Sequence, residues 1–294
     1  MNIELVNRIK RITLIALASD DELVETLVLK GGNAIELAYF NTASKISRTS
    51  YDLDYSIEKG DFTEPEEEIA LRLKSTLVRT FIEHGFVVID FKFFSRPHYP
   101  QIETADFWGG YKVEFKVVEK VNYESNSTNI DKMRRSSVVI NPNNSPIFEL
   151  EFSKFEFIGE KKAIELDGYK IYVYTPEMIV FEKLRAICQQ IPEYKVIVPS
   201  FNSRARARDF YDIFIIMDSI GIDPNTDNNL ELIVNIFAAK KVPISFISKI
   251  RENYHLHVDN WKSVVDTVPA TEQLNDFDFY FNFVLDKIEN LKFL

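Results

Sequence analysis

The chain has very little cysteine, since Cys188 stands alone among 294 residues. A single cysteine excludes an intramolecular disulfide, and this usage is typical of a protein kept in a reducing compartment. Histidine is also scarce, with four in the chain. Only His255 and His257 lie close together, and that pattern alone is too weak for a zinc centre. A structural disulfide and a zinc site are therefore not expected.

Long apolar runs are missing as well. No stretch of about 18 consecutive apolar residues occurs, so no segment is predicted to span a membrane. The first residues carry Glu4, Arg8, Lys10 and Arg11 among apolar neighbours, which is unlike the apolar core of a signal peptide. We therefore expect a cytoplasmic protein with no membrane partner.

Positive charge is in the minority. Lys and Arg number 35 against 45 Asp and Glu, which gives a formal net charge of −10. An even basic coat for non-specific nucleic-acid binding is therefore absent, and a nucleic-acid substrate would need a local basic patch. Hydrophobic residues make up 46% of the chain, with 24 Phe and 13 Tyr, which indicates a well-packed globular protein with a sizeable core.

Hydrophobic periodicity divides the chain into two parts. Short apolar and alternating runs, typical of strands, end with 169–174, and the segments after Thr175 have helical spacing. Thr175 followed by Pro176 is a helix start, with proline at the first helical position. We predict an α+β domain over residues 1–174, with a mixed sheet flanked by helices, and a helical domain over 175–294. No Gly/Ser linker separates them, which favours a shared cleft.

Local patterns predict individual elements of both parts. Helices are expected over 2–26 and 33–41, and a capping box at Thr63 and Glu66, with Pro65 at an early helical position, is expected to start a third. The polar stretch 122–135 is expected to be a loop. Strands are expected over 27–30, 51–57, 86–94, 111–118, 136–140, 147–152 and 169–174, and later helices near 176–190, 204–220, 228–238 and 271–292.

The most informative stretch lies between residues 30 and 55. A turn at Gly31 and Gly32 follows a short apolar strand, and further along Asp52 and Asp54 alternate with large apolar residues. On a strand, residues two apart point to one face, about 6–7 Å apart along the strand. Two carboxylates so placed suit a hard divalent cation such as Mg²⁺, which takes oxygen ligands and bridges substrate phosphates. A glycine turn lets backbone amides approach those phosphates.

This stretch resembles the signature of the AbiEii/AbiGii toxin family, in which KGG is followed by R-x-[ST]-x-D-[LI]-D. The chain has Lys30-Gly31-Gly32 and then Arg48-Thr49-Ser50-Tyr51-Asp52-Leu53-Asp54. Two later motifs, EKLRA at 182–186 and RDFYDI at 208–213, occur in the family's order. Together with the first strand, the motifs span residues 27–217.

The family consists of bacterial toxins of abortive-infection and toxin–antitoxin systems that resemble polymerase-β-type nucleotidyltransferases. The resemblance therefore implies a nucleotidyltransferase-like sheet core, an NTP substrate, growth inhibition and a cognate antitoxin protein, with tRNA as an acceptor. The long spacing between Gly32 and Asp52 fits this branch better than antibiotic-modifying enzymes. Gly32 also takes the place of a serine, so no hydroxyl there can contact a phosphate.

The candidate site begins with the residues of this signature. Asp52 and Asp54 are expected to hold Mg²⁺ (or Mn²⁺), with a solvent-facing strand edge as the alternative. Gly31 and Gly32 are expected to form the phosphate turn, although an ordinary strand-to-helix turn also uses glycine. Lys30 is a candidate charge contact with the nucleotide.

Further candidates extend the nucleotide and metal sites. Arg48 and Ser50 belong to the expected nucleotide-binding set, although Ser50 could be a plain strand hydroxyl. A third carboxylate is expected on a neighbouring strand, where the FELEF segment offers Glu149 and Glu151 on one face. We prefer Glu151, because the Phe152-Ser153 pair after it matches the family's strand, and expect it to be a metal ligand or a general base.

The helical part contributes the remaining candidates. Lys183 interrupts an apolar helical stripe, so it either snorkels to solvent or points into a charged cleft. Asp209 could orient Lys183 or the nucleotide, whereas Asp212 is expected to pair with Arg208 one turn earlier. The basic run at 204, 206 and 208 is either a patch for nucleotide or RNA phosphates or a solvated helix face.

These observations favour a Mg²⁺-dependent nucleotidyltransferase toxin. It would transfer a nucleotidyl group from an NTP to an acceptor hydroxyl, with pyrophosphate released and tRNA as the acceptor that the resemblance implies. The second hypothesis is a catalytically silent nucleotide-binding regulatory or interaction module. The intact acids at 52 and 54 and the lysine at 183 count against it, because such a module has no need of a metal pair.

Overall fold

The computed structural model describes residues 2–40, 51–99, 101–268 and 273–292 of the chain. Its strands all precede Tyr174, and the described elements from Pro176 onward are helical. The strands are β1 (Leu27–Lys30), β2 (Leu53–Ile57), β3 (Phe86–Arg96), β4 (Gly110–Glu119), β5 (Phe148–Ser153), β6 (Lys162–Leu166) and β7 (Tyr169–Val173).

The described helices lie at the start of the chain, between the strands and throughout the second part. The α-helices are α1 (Ile3–Ala18), α2 (Asp21–Thr26), α3 (Gly31–Ile35), α4 (Glu66–Glu83), α5 (Lys120–Ser125), α6 (Ile130–Arg135), α7 (Pro176–Cys188), α8 (Ala207–Ile220), α9 (Asp227–Ala239), α10 (Tyr254–Val258), α11 (Lys262–Val265) and α12 (Phe277–Ile288). A π-helical turn covers Glu36–Phe40, and 3-10 helices cover Ile102–Thr104, Pro192–Val196 and Ile244–Asn253. No helix of the described ranges has the length and apolarity needed to cross a bilayer.

The seven strands form one mixed sheet in the order β3-β4-β5-β2-β1-β7-β6. β2 runs parallel to β5 and β1 runs parallel to β7, whereas the other neighbouring pairs are antiparallel. The predicted architecture is thus confirmed: a mixed sheet flanked by helices and followed by helices. The division into two domains at 174/175 stays a prediction.

One face of the sheet is apolar and packs against helices. In β5, Phe148, Leu150 and Phe152 are buried and alternate with half-buried polar residues. Phe81 of α4 lies edge-on to Phe115 of β4, with ring centroids 5.7 Å apart, and α1 packs beside α4. Because side chains alternate across a strand, the acids of β5 are left on the opposite face.

Side-chain caps explain why some predicted elements differ from the observed ones. The expected helix over 2–26 breaks, because the Asp20 carboxylate accepts hydrogen bonds from the backbone N–H groups of Glu22 and Leu23 and starts α2. The capping box is wrong, because Thr63 donates to Glu64 instead. Helix α4 begins only after Pro65, at Glu66, and has three acids in its first turn. Their negative charge stabilises the helix, because the N-terminal end of a helix is positive.

Three further segments were also mispredicted. The stretch 122–135 is not a loop, because it contains most of α5 and all of α6, which starts where Asn129 caps Lys132. The expected strand over 136–140 does not form, and its contact with β4 is a hydrogen bond from Val138 N–H to Val117 O at 2.8 Å. Strand β6 was missed because four of its five residues are not buried, so it lacks apolar alternation.

A buried carboxylate joins the sheet to the helical part. Glu156, just beyond β5, lies 3.6 Å from Nζ of Lys30 in β1, 3.5 Å from Nη2 of Arg185 in α7 and 3.5 Å from Nζ of Lys240 after α9. Its side chain is 6% exposed. Burial alone would raise the pKa of Glu156, but these cations outweigh it, with Arg185 first, and lower the pKa to about 2. The two parts are therefore held by an ion cluster.

Replacing Glu156 by Gln should destabilise the protein strongly. The change leaves three buried cations without their shared counter-ion, and breaking a buried ion pair in this way costs about 3–5 kcal/mol. The free energy of unfolding should fall by about that amount in urea denaturation. The matched control is Glu160→Gln at an exposed position of the same loop, which should change it by less than about 0.5 kcal/mol. Equal effects of the two variants would contradict a structural role for the cluster.

Candidate active site

A large cavity opens between the polar face of the sheet, helix α7 and the segment 200–209. Its volume of about 680 Å³ lies within the range of small-molecule and cofactor sites. Acids of the sheet line one side, and the lining also includes Arg96 at the end of β3, Arg204 and Arg206 of the loop before α8, and Arg208 of α8. The cavity therefore offers separate places for cations and for anions.

Charged residues form a row across four strands on the cavity side of the sheet. Lys30 is the Cα partner of Asp54, Asp54 is the partner of Glu151, and Glu151 is the partner of Lys112. Asp54 and Glu151 both line the cavity. Glu149 instead lies 2.7 Å from Nζ of Lys112. This placement favours Glu151 over Glu149 as the third carboxylate.

Asp52 comes directly before β2 instead of inside it, and also lines the cavity. Its carbonyl oxygen accepts a hydrogen bond of 2.5 Å from Nδ2 of Asn33 in α3. Asn33 in turn accepts one of 3.0 Å from Nζ of Lys10, a 6%-exposed lysine of α1. Sequence reasoning missed both residues, although a lysine beside the apolar Ile9 and Ile12 of α1 was a usable signal.

The electrostatic surroundings of Asp54 are unusually acidic. Burial is the largest cause that raises its pKa, followed by the negative charge of Asp52, while Lys30 opposes both. With Glu151 and Glu182 adding to the increase, the pKa of Asp54 reaches about 7. An excess of carboxylate charge in a closed space is relieved either by a proton or by a bound cation. The donor set therefore fits a divalent metal ion.

The few carboxylates at the cavity suit a metal ion that binds both the protein and the phosphates of a substrate. Within the described ranges, no group of three or more His, Cys, Asp or Glu side chains is already arranged to hold a metal ion. Mg²⁺ needs no such cage, because it keeps several waters and binds through one or two carboxylates plus substrate phosphates. Asp52 and Asp54, the two expected metal ligands, both line the cavity, and Glu151 is the strand partner of Asp54.

Gly31 allows the turn to approach these carboxylates closely. Its φ of +69° lies in the left-handed region that favours glycine, and an added Cβ would lie 3.1 Å from Oδ2 of Asp54. Both Gly31 and Gly32 line the cavity and open helix α3. The phosphate turn expected from the sequence therefore lies beside the acids expected to hold the metal.

Lys30 lines the cavity, but its amine already contacts two carboxylates. Nζ lies 2.5 Å from Glu182 and 3.6 Å from Glu156. Burial alone lowers the pKa of a lysine, but Glu182 and Glu156 outweigh it and raise the pKa of Lys30 above its ordinary value. A direct contact with a nucleotide would compete with these ion pairs, and that role of Lys30 stays a prediction.

Of the two alternatives for Lys183, the structure shows the second: the side chain points into a charged cleft and does not extend to solvent. Its Nζ lies 2.9 Å from Asp209 and 2.7 Å from Asp212, both of α8. Asp212 was expected to pair with Arg208, so its contact with Lys183 is new. Lys183, Asp209 and Arg208 line the cavity together, and Arg208 also donates to the carbonyl oxygen of Ser263 at 3.5 Å. Arg48 and Ser50 lie outside the described residues.

A buried histidine positions the arginine run. Nδ1 of His257 accepts the backbone N–H of Arg206 at 3.1 Å, and the ring packs against Phe210 with centroids 5.1 Å apart. Burial is the main cause that lowers the pKa of His257, to about 4. The ring is therefore neutral at physiological pH, which leaves Nδ1 free to accept. The weak His-x-His spacing gave no sign of this role.

The fold, with acids, glycine turn and lysine around one cavity, is that of a nucleotidyltransferase. The chain belongs to the AbiEii toxin family, because the profile described as "Nucleotidyl transferase AbiEii toxin, Type IV TA system" matches residues 13–283. The resemblance read from the motifs is thus confirmed. The protein is a nucleotidyltransferase toxin of a type IV toxin–antitoxin system, and such a toxin has an antitoxin partner and a nucleotide substrate.

Three solved structures are similar to this chain, and the first of them agrees on the fold. An H. pylori protein described as a candidate nucleotidyltransferase is 17% identical and has a TM-score of 0.50, with 98% of this chain and 97% of that chain covered. JHP933 from Helicobacter pylori has 18% identity, a TM-score of 0.48 and coverages of 96% and 88%. An antigenic nucleotidyltransferase-like protein from Paracoccidioides brasiliensis has 16% identity, a TM-score of 0.31 and coverages of 79% and 93%. No curated protein matches the chain.

Asn33→Asp should impair the enzyme without unfolding it. The aspartate keeps an oxygen that accepts from Lys10, but it has no N–H to donate to the carbonyl oxygen of Asp52. The backbone at Asp52 is then free to shift. Loss of such an outer contact typically costs 10- to 100-fold in activity, which we expect in the initial rate of pyrophosphate release. Asn282→Asp on the exposed side of α12 is the matched control. An unchanged rate in Asn33→Asp would contradict a positioning role.

Protonation of His257 should destabilise the fold in mild acid. The unfolded chain binds this proton below about pH 6.5, whereas the folded chain does so only near pH 4, so stability falls as the pH drops between these values. The loss is at most about 3 kcal/mol. The measurement is the free energy of unfolding in urea at pH 7 and pH 4. It should fall more in the wild type than in His257→Asn, whose Oδ1 can still accept the Arg206 N–H, whereas the exposed His255→Asn should behave like the wild type. If the difference in stability between the wild type and His257→Asn is the same at both pH values, His257 is not the group that titrates.

Proposed function

We propose that the protein transfers a nucleotidyl group from an NTP to an acceptor hydroxyl on RNA, with the help of Mg²⁺, and that tRNA is the acceptor. The observation that carries this proposal is the pairing of Asp52, Asp54 and Glu151 with a glycine turn in one cavity that arginines also line. The family supplies the reaction class, and the arrangement of acids and cations supplies a place for a triphosphate.

The proposed reaction is a substitution at the α-phosphorus of the NTP. The acceptor oxygen forms a bond to this phosphorus, the bond to the bridging oxygen of the β-phosphate breaks, and pyrophosphate leaves. The hydroxyl proton must go to a base, and Glu151 is the candidate because it neighbours Asp54 and lines the cavity. Such transfers depend mainly on positioning and on charge stabilisation.

Asp52 and Asp54 would hold the divalent ion. Mg²⁺ (or Mn²⁺) bound there would offset the charge of the triphosphate and of the leaving pyrophosphate. Gly31 packs against Asp54, so the glycine turn lies next to the proposed metal ligands. From there the backbone amides of Gly31 and Gly32 would contact the triphosphate. Burial and the neighbouring carboxylates of Asp52, Glu151 and Glu182 raise the pKa of Asp54 to about 7, and such crowding of acids favours binding of a positive charge.

Cations of the helical part would meet the phosphates of the substrate and of the RNA. Lys183 is held by Asp209 and Asp212 beside the cavity, so it keeps a fixed position for a nearby phosphate. Arg204 is exposed and Arg206 is half-buried at the same rim. In a chain of net charge −10, this local cluster is the natural entry for a polyanion.

Loss of either metal-site acid should abolish transfer. Asp52→Asn and Asp54→Asn keep the size of the side chain but remove a negative charge, so we expect pyrophosphate release with NTPs, Mg²⁺ and total RNA to fall by on the order of 100-fold or more. Bacterial growth inhibition should be lost in parallel. Asp286→Asn, exposed on α12, is the matched control and should stay active.

The same experiment tests two parts of the proposal separately: metal-dependent nucleotidyl transfer, and tRNA as the acceptor. Absence of pyrophosphate release from the wild type with every NTP, together with undiminished toxicity of Asp52→Asn, would overturn metal-dependent transfer. Sequencing of RNA 3′ ends after expression tests the acceptor, because added nucleotides on tRNA are expected. Release of pyrophosphate with labelling of another molecule would leave the reaction standing and contradict the tRNA assignment.

A further inference from the structure

Four aromatic residues line the cavity; Tyr111 and Phe152 are buried, whereas Trp108 and Phe201 are partly exposed. Trp108 lies in the turn before β4, and Phe201 lies in the loop between α7 and α8. Their rings meet edge to face, with centroids 6.0 Å apart, and both pack against the buried Tyr194. Yet both side chains are only partly buried. Aromatic surface left open inside a polar cavity is a position where a planar ligand can pack.

The backbone holds this pair in place. Trp108 donates its N–H to the carbonyl oxygen of Thr104 at 2.8 Å, and Phe201 donates to that of Val198 at 2.9 Å. Next to Trp108, the strand β4 starts at Gly110, where an added Cβ would lie only 2.2 Å from the carbonyl oxygen of Phe152. This close contact between β4 and β5 anchors the turn, so the aromatic pair has a fixed position relative to the sheet acids.

The aromatic pair and the acids occupy different parts of the same cavity, joined by the ion cluster. Nζ of Lys240 lies 5.9 Å from the centroid of the Trp108 ring and 3.5 Å from Glu156. Glu156 then contacts Lys30 at 3.6 Å, and Lys30 is the strand neighbour of Asp54. A ligand that reaches both places must carry a charged end and a planar end.

Polar side chains beside the rings complete the subsite. Ser200 and Asn202 flank Phe201, are exposed and line the cavity. A hydroxyl and an amide can each donate and accept hydrogen bonds, as the edge of a nucleobase requires. Exposed Arg204 follows two residues later and is placed for the phosphate attached to such a base. An apolar peptide would leave these polar groups without partners.

We propose that Trp108 and Phe201 form a stacking subsite for a nucleobase, with Ser200 and Asn202 at the base edge. Stacking on an aromatic ring suits every base, because every base has a π-face. The base could belong to the NTP or to the terminal nucleotide of the acceptor, and the chemistry is the same for both. The subsite rests on the proposed function for its ligand class, but not on turnover.

The chain offers its own reporter for this subsite. It has two tryptophans, and Trp261 packs in the helical part against Phe277 and Tyr280, away from the cavity lining. In Trp261→Phe, tryptophan fluorescence comes from Trp108 alone. Stacking of a base on this ring should quench its emission in a saturable way, and no destabilising change at position 108 is needed.

Three kinds of ligand distinguish whether the base belongs to the NTP or to the acceptor. Each is titrated into Trp261→Phe with Mg²⁺: the four NTPs, a short oligoribonucleotide and inorganic tripolyphosphate. Quenching by an NTP alone assigns the subsite to the nucleotide, and quenching by the oligoribonucleotide alone assigns it to the acceptor. Tripolyphosphate has no base and should leave the emission nearly unchanged. Quenching by tripolyphosphate equal to that by the others would overturn the proposal.

Affinity provides the second measurement. Base–aromatic stacking predicts that Trp108→Ala and Phe201→Leu weaken binding of the quenching ligand by about 10- to 100-fold, whereas Trp108→Phe keeps most of it. Binding of tripolyphosphate should stay the same in these variants, which shows that the charged part of the cavity is intact. Phe214→Leu, in the aromatic packing of α8 against α12, is the matched control.

Failure of this subsite is distinguishable from failure of the proposed function. If transfer depends on Asp52 but Trp108 is not quenched and its variants bind normally, the subsite is wrong and the reaction stands. If bases quench Trp108 but no transfer occurs with any NTP, the subsite stands and the reaction is wrong. Absence of binding by any NTP and by the oligoribonucleotide would overturn the subsite as well.

Discussion

The carboxylate of Glu156 is the contact on which the shape of the cavity depends. It faces cations from β1, from α7 and from the residue after α9, so one buried anion joins the sheet to the helical part. A buried ion cannot part from its counter-ions without a large desolvation cost. The distance between the acids of the sheet and the arginines of the helical part is therefore set by electrostatics as well as by apolar packing.

The balance of charge differs from place to place in this acidic protein. The ion cluster pairs Glu156 and Glu182 with Lys30, Arg185 and Lys240, and is nearly neutral inside. Next to it, burial and the neighbouring carboxylates of Asp52, Glu151 and Glu182 raise the pKa of Asp54. The ion cluster and these acids are neighbours, so a cation bound at the acids, as proposed, would leave the cluster in place.

Local sequence pattern was enough to predict the class of the protein and its central strands. Alternation placed Glu151 on the polar face of β5, and the Thr175-Pro176 pair marked the start of α7 correctly. Contacts between distant segments were beyond such reasoning, since neither Glu156 nor Lys240 belongs to a recognisable motif. Edge strand β6 and the short polar helices α5 and α6 were missed because they bury few apolar residues, and packing elsewhere determines them.

The close approach of Gly31 to Asp54 has a consequence for how the toxin can be silenced. A side chain there would meet the carboxylate oxygen at 3.1 Å and would also need an unfavourable φ of +69°. If Asp54 holds the metal as proposed, one added methyl group would disarm the enzyme by steric crowding, while every charge on the molecule is kept. An inactive form of this kind would present the same electrostatic surface to its antitoxin as the active toxin does. Antitoxin binding could then be studied separately from toxicity.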